Sequence, residues 1–323
     1  MTKPKVLVTR RWPQAVEERM AEVFDLELNP ADRPLSEAEL RQALHDYDAV
    51  LPTVTDRISA SVFEDAAPRT RILANYGVGY AHIDTDAARN RGIVVTNTPD
   101  VLSECTADLA MTLLLMAARR AGEGERELRA GGWTGWRPTH MIGTKVSGAT
   151  LGIIGFGRIG QAMAQRAHFG FGMKIMVQDR APLPEQVLAR FGAVQVDSID
   201  ALLPQVDFVS LHCPGGAANR HLIDERRLGL MRRGAFLINT ARGEVVDEAA
   251  LARALKDRTI AGAGLDVFEN EPVVNEALLG LENAVLLPHL GSATRETREA
   301  MGFRVFENLQ DFFDGKEPRD RVA

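Results

Sequence analysis

The chain has 323 residues, 45% of them hydrophobic and 25% charged, with 28 glycines and a formal net charge of -6. At one domain per roughly 100–200 residues, this length predicts two domains, each with its own core, and excludes disorder as the dominant state. The acidic balance gives no global basic footprint, so neither nucleic acid nor an anionic membrane surface is an expected partner. Cys105 and Cys213, the two cysteines, are too few for a disulfide framework and fit a reducing compartment.

The opening MTKPKVLVTRRWP has a short apolar run broken by arginines and Pro13, without a signal-peptide pattern. It reads as a first strand, Lys5 to Thr9. Helical and β-branched patterns then alternate: Ser36 to Tyr47, Ala49 to Leu51, Ile58 to Ala66, Ile72 to Ala74, Asp84 to Arg91 and Ile93 to Val95. Ser36 followed by Glu39 is a capping-box pattern. Such alternation predicts a parallel sheet covered on both faces.

One long helix is expected from Ser103 to Arg129, apolar nearly all round in its first half. Its greasiest part, Leu109 to Ala118, falls well short of the roughly 20 residues that cross a bilayer, and Asp108 and Arg119 flank it. No membrane partner is expected, and the protein reads as cytoplasmic. Gly131 to Pro138 reads as an excursion loop.

A second alternation starts at Ala149, with strand runs at Leu151 to Ile154, Ile175 to Val177, Phe208 to Leu211, Ala235 to Ile238, Gly262 to Val267 and Ala284 to Leu287. Wholly apolar runs belong to parallel sheets buried on both sides. The fold class is therefore α/β with two doubly wound parallel-sheet domains. A last helix, Arg295 to Phe313, has no strand after it. It is expected to pack back on the first domain, giving a substrate domain of residues 1–101 plus 290–323 and a cofactor domain of residues 102–289.

The strand Leu151 to Ile154 runs straight into Gly155-Phe156-Gly157-Arg158-Ile159-Gly160 and a helical pattern through Ala167. Gly155 permits the tight turn, Gly157 lets backbone N–H groups approach a pyrophosphate, and Gly160 allows close helix–sheet packing. Asp179, at the end of the next strand, lies 19 residues past Gly160 (179 - 160). A carboxylate there accepts hydrogen bonds from an adenosine ribose and repels a 2′-phosphate. NAD(H) is thus favoured over NADP(H), with Arg180 the residue that softens the choice or stacks on adenine.

Three further strands each end in a polar group, Arg242, Glu271 and His289, and consecutive strand ends converge in a doubly wound sheet. Taken singly they read as a surface ion pair, a loop charge and a core histidine. Together, beside a dinucleotide motif, they read as a catalytic set. No metal is expected.

Over essentially its full length the chain resembles the D-isomer-specific 2-hydroxyacid dehydrogenases, a Rossmann cofactor domain inserted into a flavodoxin-like substrate domain. Within them it is most similar to the glyoxylate/hydroxypyruvate reductases, through Gly77-Val78-Gly79, Thr98 to Leu102, Gly132 to Pro138, Asn239 to Gly243 and Leu287 to Thr294. The resemblance implies that Arg242 holds the substrate carboxylate, that His289 gives a proton to the carbonyl oxygen, and that Glu271 orients His289. It implies a second carboxylate cradle from the backbone of Val78 and Gly79, with Leu51 to Val54 meeting the substrate's remaining group.

Cofactor contacts are implied at Val78, Thr106, Arg158, Ile159, Cys213, Pro214, Thr240, Ala241, Arg242, Asp266, His289 and Gly291, besides the three motif glycines, Asp179 and Arg180. Asp266 is expected to face the carboxamide. Gly215 to Asn219 departs from the family's Thr-rich sequence. In the similar reductases the second tryptophan of the loop, here Trp136, reaches a partner's pocket, implying a homodimer with residues 122–141 as its arm.

The implied activity is reduction of a small 2-oxo acid to its D-2-hydroxy acid by NADH. The alternatives are another D-2-hydroxyacid dehydrogenase, a phosphite dehydrogenase, which shares the Arg, Glu and His, or a non-catalytic NADH-sensing corepressor-like scaffold. Formate dehydrogenases place Gln where Glu271 stands, which argues against that chemistry.

Overall fold

The computed structural model of the protein describes residues 3–64 and 68–323. Its chain divides into two units, Met1–Leu102 with Ala293–Ala323, and Ser103–Ser292.

The first unit is built on β1 (Lys5–Val8), β2 (Asp25–Leu28), β3 (Ala49–Leu51), β4 (Ile72–Ala74) and β5 (Val94–Thr96), all parallel in the order β2-β1-β3-β4-β5. That order reverses between β1 and β3, so loops after these strands diverge to opposite faces at a switch point. β3 and β4 are buried along their whole length, as interior parallel strands must be.

Two elements were not expected. Edge strand β2 alternates Asp, Leu, Glu, Leu and stays half-exposed, and the helix Gln14–Val23 hides its short stripe of Val16 and Met20 among charged neighbours. The segment expected to be helical from Ile58 forms only a 3-10 turn at Ala60–Phe63; its last two residues, Asp65 and Ala66, lie outside the described residues. The capping box is present: Glu39 N donates to Ser36 Oγ (3.3 Å), and Ser36 N donates to Glu39 Oε2 (2.8 Å), opening the helix Glu37–Asp46.

The helix Arg295–Phe313 packs in this unit against Gln14–Val23. The chain then returns to the sheet: Val322 N donates to Val95 O (2.8 Å), Val95 N donates to Ala323 O (3.0 Å), and Arg321 bridges Thr96 in antiparallel sense. β5 is thereby covered rather than left as a bare edge.

The second unit carries seven parallel strands: β6 (Thr150–Ile154), β7 (Lys174–Gln178), β8 (Val194–Gln195), β9 (Phe208–Leu211), β10 (Phe236–Asn239), β11 (Gly262–Leu265) and β12 (Ala284–Leu286). Their order is β12-β11-β10-β9-β6-β7-β8. Two apolar cores follow from the period of two: Leu237, Val209 and Leu265 face one layer of helices, while Phe236, Ile238 and Phe208 face the other. The second layer includes Ser103–Arg119, whose Leu113 lies where a Cβ on Gly264 would come within 2.9 Å.

The single helix expected from Ser103 to Arg129 is in fact two, Ser103–Arg119 and Ala121–Arg129. Arg120 between them adopts left-handed backbone (φ 53), and its guanidinium clamps Glu123 at 2.8 and 2.6 Å. Gly122 and Gly124 weaken helix continuation past that point. Among the described residues no helix is long and apolar enough to cross a membrane.

Gly302 sets the helix spacing of the first unit, because a Cβ there would meet Val16 Cγ1 at 2.6 Å. Helix propensity alone favours Ala over Gly by about 1 kcal/mol, whereas overpacking costs about 1–3 kcal/mol. Gly302→Ala is therefore expected to lower the urea midpoint of the first unit's unfolding; a raised midpoint would show that Val16 yields freely.

Candidate active site

At the carboxyl edge of the seven-stranded sheet, the strand order turns between β6 and β9, where a dinucleotide belongs. Gly155 leaves β6 with φ 88, and a Cβ there would meet Cys213 N at 2.7 Å and His212 O at 2.8 Å. Only glycine serves both demands. A Cβ at Gly160 would lie 2.3 Å from Gly155 O, so the helix Arg158–Gln165 rests on the turn itself. Gly157 faces open space and starts that helix with no side-chain cap. An uncapped helix start beside open space is a cradle suited to a pyrophosphate. Arg158 and Ile159 belong to that first turn. Two buried polar atoms nearby, Thr240 Oγ1 after β10 and His212 Nδ1 after β9, have no hydrogen-bond partner among the described residues, and Thr240 is one of the expected cofactor contacts. These features fit a dinucleotide.

Asp179 follows β7. Its Oδ2 accepts from Phe156 N (2.7 Å) and its Oδ1 from Arg180 N (2.7 Å), tying the carboxylate to the glycine turn. Arg180 donates to Asn219 Oδ1 (2.8 Å), and Asn219 Nδ2 donates to Pro214 O (2.7 Å). Burial pushes the Cys213 thiol up to about 11, so it is no thiolate at neutral pH. Burial also holds His212 down to about 4, a neutral ring whose Nε2 meets Ser210 Oγ at 2.8 Å.

The three strand ends come together within this unit. Asn239, 1% exposed, folds the turn after β10 by accepting from Ala241 N (3.0 Å) and donating to Arg242 O (2.9 Å). Gly243 then passes so close to the Phe268–Glu269 peptide that a Cβ would lie 1.9 Å from Phe268 C. Arg242 is half-buried and donates from Nη1 to Ala241 O (2.6 Å). Burial lowers its affinity for the proton, opposed by Glu244 and Glu271; a guanidinium remains charged at neutral pH regardless.

Glu271 Oε1 accepts from Phe268 N (3.0 Å) and Oε2 from His289 Nδ1 (2.7 Å). Burial pushes Glu271 up, but the His289 hydrogen bond and charge, the Phe268 N–H and Arg242 outweigh it, leaving the group below the usual carboxylate value. With Nδ1 engaged, His289 Nε2 has no hydrogen-bond partner among the described residues. His289 itself has φ 55, a conformation rare outside glycine. Asp266, 1% exposed, holds it there: its main-chain O accepts from His289 N (2.9 Å), Oδ1 from Leu290 N (2.6 Å) and Oδ2 from Gly291 N (2.8 Å). Thr106 Oγ1 donates to Gly291 O (3.2 Å). Both Asp266 oxygens thus already serve the His289 loop, a bracing role the sequence does not announce. Burial is the leading influence on this carboxyl and leaves it above its ordinary value.

In the first unit, Val78 and Gly79 follow β4 in a half-buried turn. Leu51, expected against the substrate, ends β3 with 0% exposure, and its carbonyl accepts from Thr9 N (3.3 Å) and Thr9 Oγ1 (3.1 Å). The Leu51 side chain lies in the sheet's interior because the switch-point strand is buried on both faces, and the exposed apolar residue of the segment is Val54. Asp56 fixes this segment, accepting from Thr9 Oγ1 (2.5 Å) and Thr53 N (2.8 Å). Trp136 is 82% exposed and makes no ring contact among the described residues. Asn75 and Asp56 carry little signal in the sequence, each being only a small polar residue placed soon after an apolar strand end, while Asn239 stands in a segment that the resemblance already marks.

A glycine turn at the switch point, an anchored acid after β7 and an Arg–Glu–His set at three strand ends define a dinucleotide-binding oxidoreductase. The family model for the NAD binding domain of D-isomer specific 2-hydroxyacid dehydrogenases matches residues 111–291. The glyoxylate reductase of Thermococcus kodakarensis is 48% identical over 320 residues, covering 98% of this chain and 95% of its own. The chain belongs to the D-isomer specific 2-hydroxyacid dehydrogenase family.

Among solved structures, a protein of Polaromonas named as a member of this family has a TM-score of 0.92 and 38% identity, covering 99% of this chain and 100% of its own. The NADPH-dependent glyoxylate/hydroxypyruvate reductase of Sinorhizobium meliloti, solved with NADP and malonate, has a TM-score of 0.88 and 37% identity, covering 100% of this chain and 97% of its own.

The Gly243 contact tests this geometry. Gly243→Ala must displace the Phe268–Glu269 peptide and with it Glu271, so turnover is expected to vanish and stability to fall by about 1–3 kcal/mol or more. Unchanged stability with wild-type turnover would mean that the turn relaxes without cost.

Proposed function

We propose that the protein reduces a small 2-oxo acid of the glyoxylate/hydroxypyruvate class to its D-2-hydroxy acid, with NADH as the favoured cofactor. The observation that carries the reading is the Glu271–His289 pair at 2.7 Å, beside a charged, half-buried Arg242. A carboxylate on Nδ1 orients the ring and leaves Nε2 free to face a substrate oxygen. Arg242 takes the substrate carboxylate and polarises the 2-oxo group, work suited to a planar, permanently charged fork. In the first unit the Val78 and Gly79 amides are two donors suited to a carboxylate. The bound nicotinamide supplies the hydride. His289 Nε2 gives its proton to the carbonyl oxygen, and Glu271 stabilises the cation before transfer. In the oxidative direction the neutral ring takes the proton back.

Cofactor preference rests on Asp179, whose carboxylate repels a 2′-phosphate. The Sinorhizobium relative is described as NADPH-dependent, and Arg180 is the residue here that tempers the preference. A homodimer is supported by the exposure of Leu128 (60%), Trp133 (53%), Trp136 (82%) and Ile142 (66%) along the proposed arm, residues 122–141 and its flanks. A groove of about 650 Å³ beside it is lined by Met116, Ile142, Leu279 and Leu281. Exposed apolar clusters of this kind mark association surfaces.

Initial rates with glyoxylate, hydroxypyruvate, pyruvate and phenylpyruvate, each with NADH and NADPH, test the substrate class; inertness towards all four would sink it. His289→Ala should lower kcat by about 10²–10⁴-fold while NADH binding stays nearly unchanged, and an equal loss of NADH affinity would mean a misassigned role. Asp179→Ala should move the NADH-to-NADPH affinity ratio towards NADPH. An unmoved ratio would show that another residue reads the ribose.

A further inference from the structure

The turn after β4 has all three of its carbonyl oxygens bound from within the first unit. Asn75 Nδ2 donates to Gly77 O (2.9 Å) and to Gly79 O (3.0 Å), Thr98 N donates to Gly77 O (3.1 Å), and Asn97 Nδ2 donates to Val78 O (2.8 Å). In a planar trans peptide the C=O and the following N–H point in opposite directions. Drawing Gly77 O inward therefore turns the Val78 N–H outward, and drawing Val78 O inward turns out the Gly79 N–H. Neither N–H has an acceptor among the described residues.

Asn75 is fully buried. Carbonyl oxygens only accept, so the atom facing both of them is the amide nitrogen, and Asn75 Oδ1 faces His82 Nε2 at 3.0 Å. His82 must then carry a proton on Nε2, and its hydrogen bond fixes which way the Asn75 amide points. Glycines on either side of Val78 would otherwise let these peptides flip, since glycine resists φ/ψ rotation least.

We propose that Asn75, oriented by His82, is the positioning residue that keeps the Val78 and Gly79 amides aimed at the substrate carboxylate. The proposal rests on the reading of 2-oxo acid reduction given above. Pre-aimed donors cost no reorganisation when the anion arrives, and a charge-assisted hydrogen bond lost from such a site weakens binding about tenfold or more.

The test compares wild type with Asn75→Ala, Asn75→Asp, His82→Ala and His82→Gln in three readouts: KM and kcat for glyoxylate, the dissociation constant of NADH, and that of oxalate, an unreducible dicarboxylate, on the NADH-loaded enzyme. Asn75→Ala should raise KM and the oxalate constant about tenfold or more, with kcat and NADH binding within about twofold. In Asn75→Asp, burial raises the pKa of the new carboxyl. Below that pKa it is neutral and donates one hydrogen bond; above it, its charge repels the anion, so the KM excess over Asn75→Ala should grow with pH. His82→Ala should raise KM by a smaller factor, and His82→Gln, whose amide donates to Asn75 Oδ1, should restore it.

Wild-type KM and oxalate binding in both alanine variants would overturn the proposal, as would losses of kcat and NADH affinity matching the rise in KM. Should Asn75→Ala fail to fold, the half-exposed His82 pair decides alone: an unmoved KM in His82→Ala overturns it. A wild-type enzyme inert on every 2-oxo acid would instead sink the functional reading, while oxalate binding would still test the cradle.

Discussion

Backbone segments at the carboxyl edge of the seven-stranded sheet approach one another more closely than any side chain allows, and the candidate site's geometry depends on those approaches. Gly155 abuts the His212–Cys213 peptide, Gly160 lies on Gly155, and Gly243 lies on the Phe268–Glu269 peptide. The first joins the loop after β6 to that after β9 and the third joins the loop after β10 to that after β11, so main-chain packing helps to place Arg242 and Glu271. Chemistry at this edge is carried by a rigid frame, since interiors packed to this density shift in discrete steps rather than flex.

On that frame two buried carboxylates are driven apart by their partners. Asp266 spends its oxygens on Leu290 and Gly291 N–H groups, and burial leaves it above its ordinary value. Glu271 meets the His289 ring, and that contact overcomes burial. One acid therefore holds a loop in a strained conformation, at His289 φ 55, and the other hydrogen-bonds the ring so held. The division follows the rule that environment, more than residue type, decides what a carboxylate does. An acidic chain of net charge -6 still presents at this edge the helix start at Arg158, which has no side-chain cap, and the guanidinium of Arg242.

Much of this was legible in the amino-acid order because the relevant constraints are local. Apolar runs bounded by turns marked most of the strands, and Gly155, Gly157 and Gly160 announced a turn whose shape only glycine permits. Arg242, Glu271 and His289 stand out by their position after such strands. What stayed hidden depends on tertiary partners. The edge strand β2 and the helix Gln14–Val23 have stripes too short to stand out from their charges. Arg120 breaks a helix through a left-handed backbone that no arginine signals by itself. Asn75 and Asp266 matter through what they hold, and an Asn or Asp near a strand end looks the same whether it braces a loop or faces water. Leu51 shows the converse: it ends a strand beside a switch point, and its side chain turns into the core, which its place in the sequence does not announce.

The proposed reaction depends on the Glu271–His289 pair, and Glu271→Gln tests that dependence most directly. Its reductive kcat, followed with NADH and glyoxylate from about pH 5 to about pH 9 beside the NADH dissociation constant, separates proton supply from cofactor binding. Glutamine keeps a hydrogen-bonding oxygen but removes the charge. The expected result is a kcat about a hundredfold down at neutral pH, with NADH affinity unchanged. A wild-type kcat in Glu271→Gln would contradict the pairing and leave His289 without its partner in the reaction.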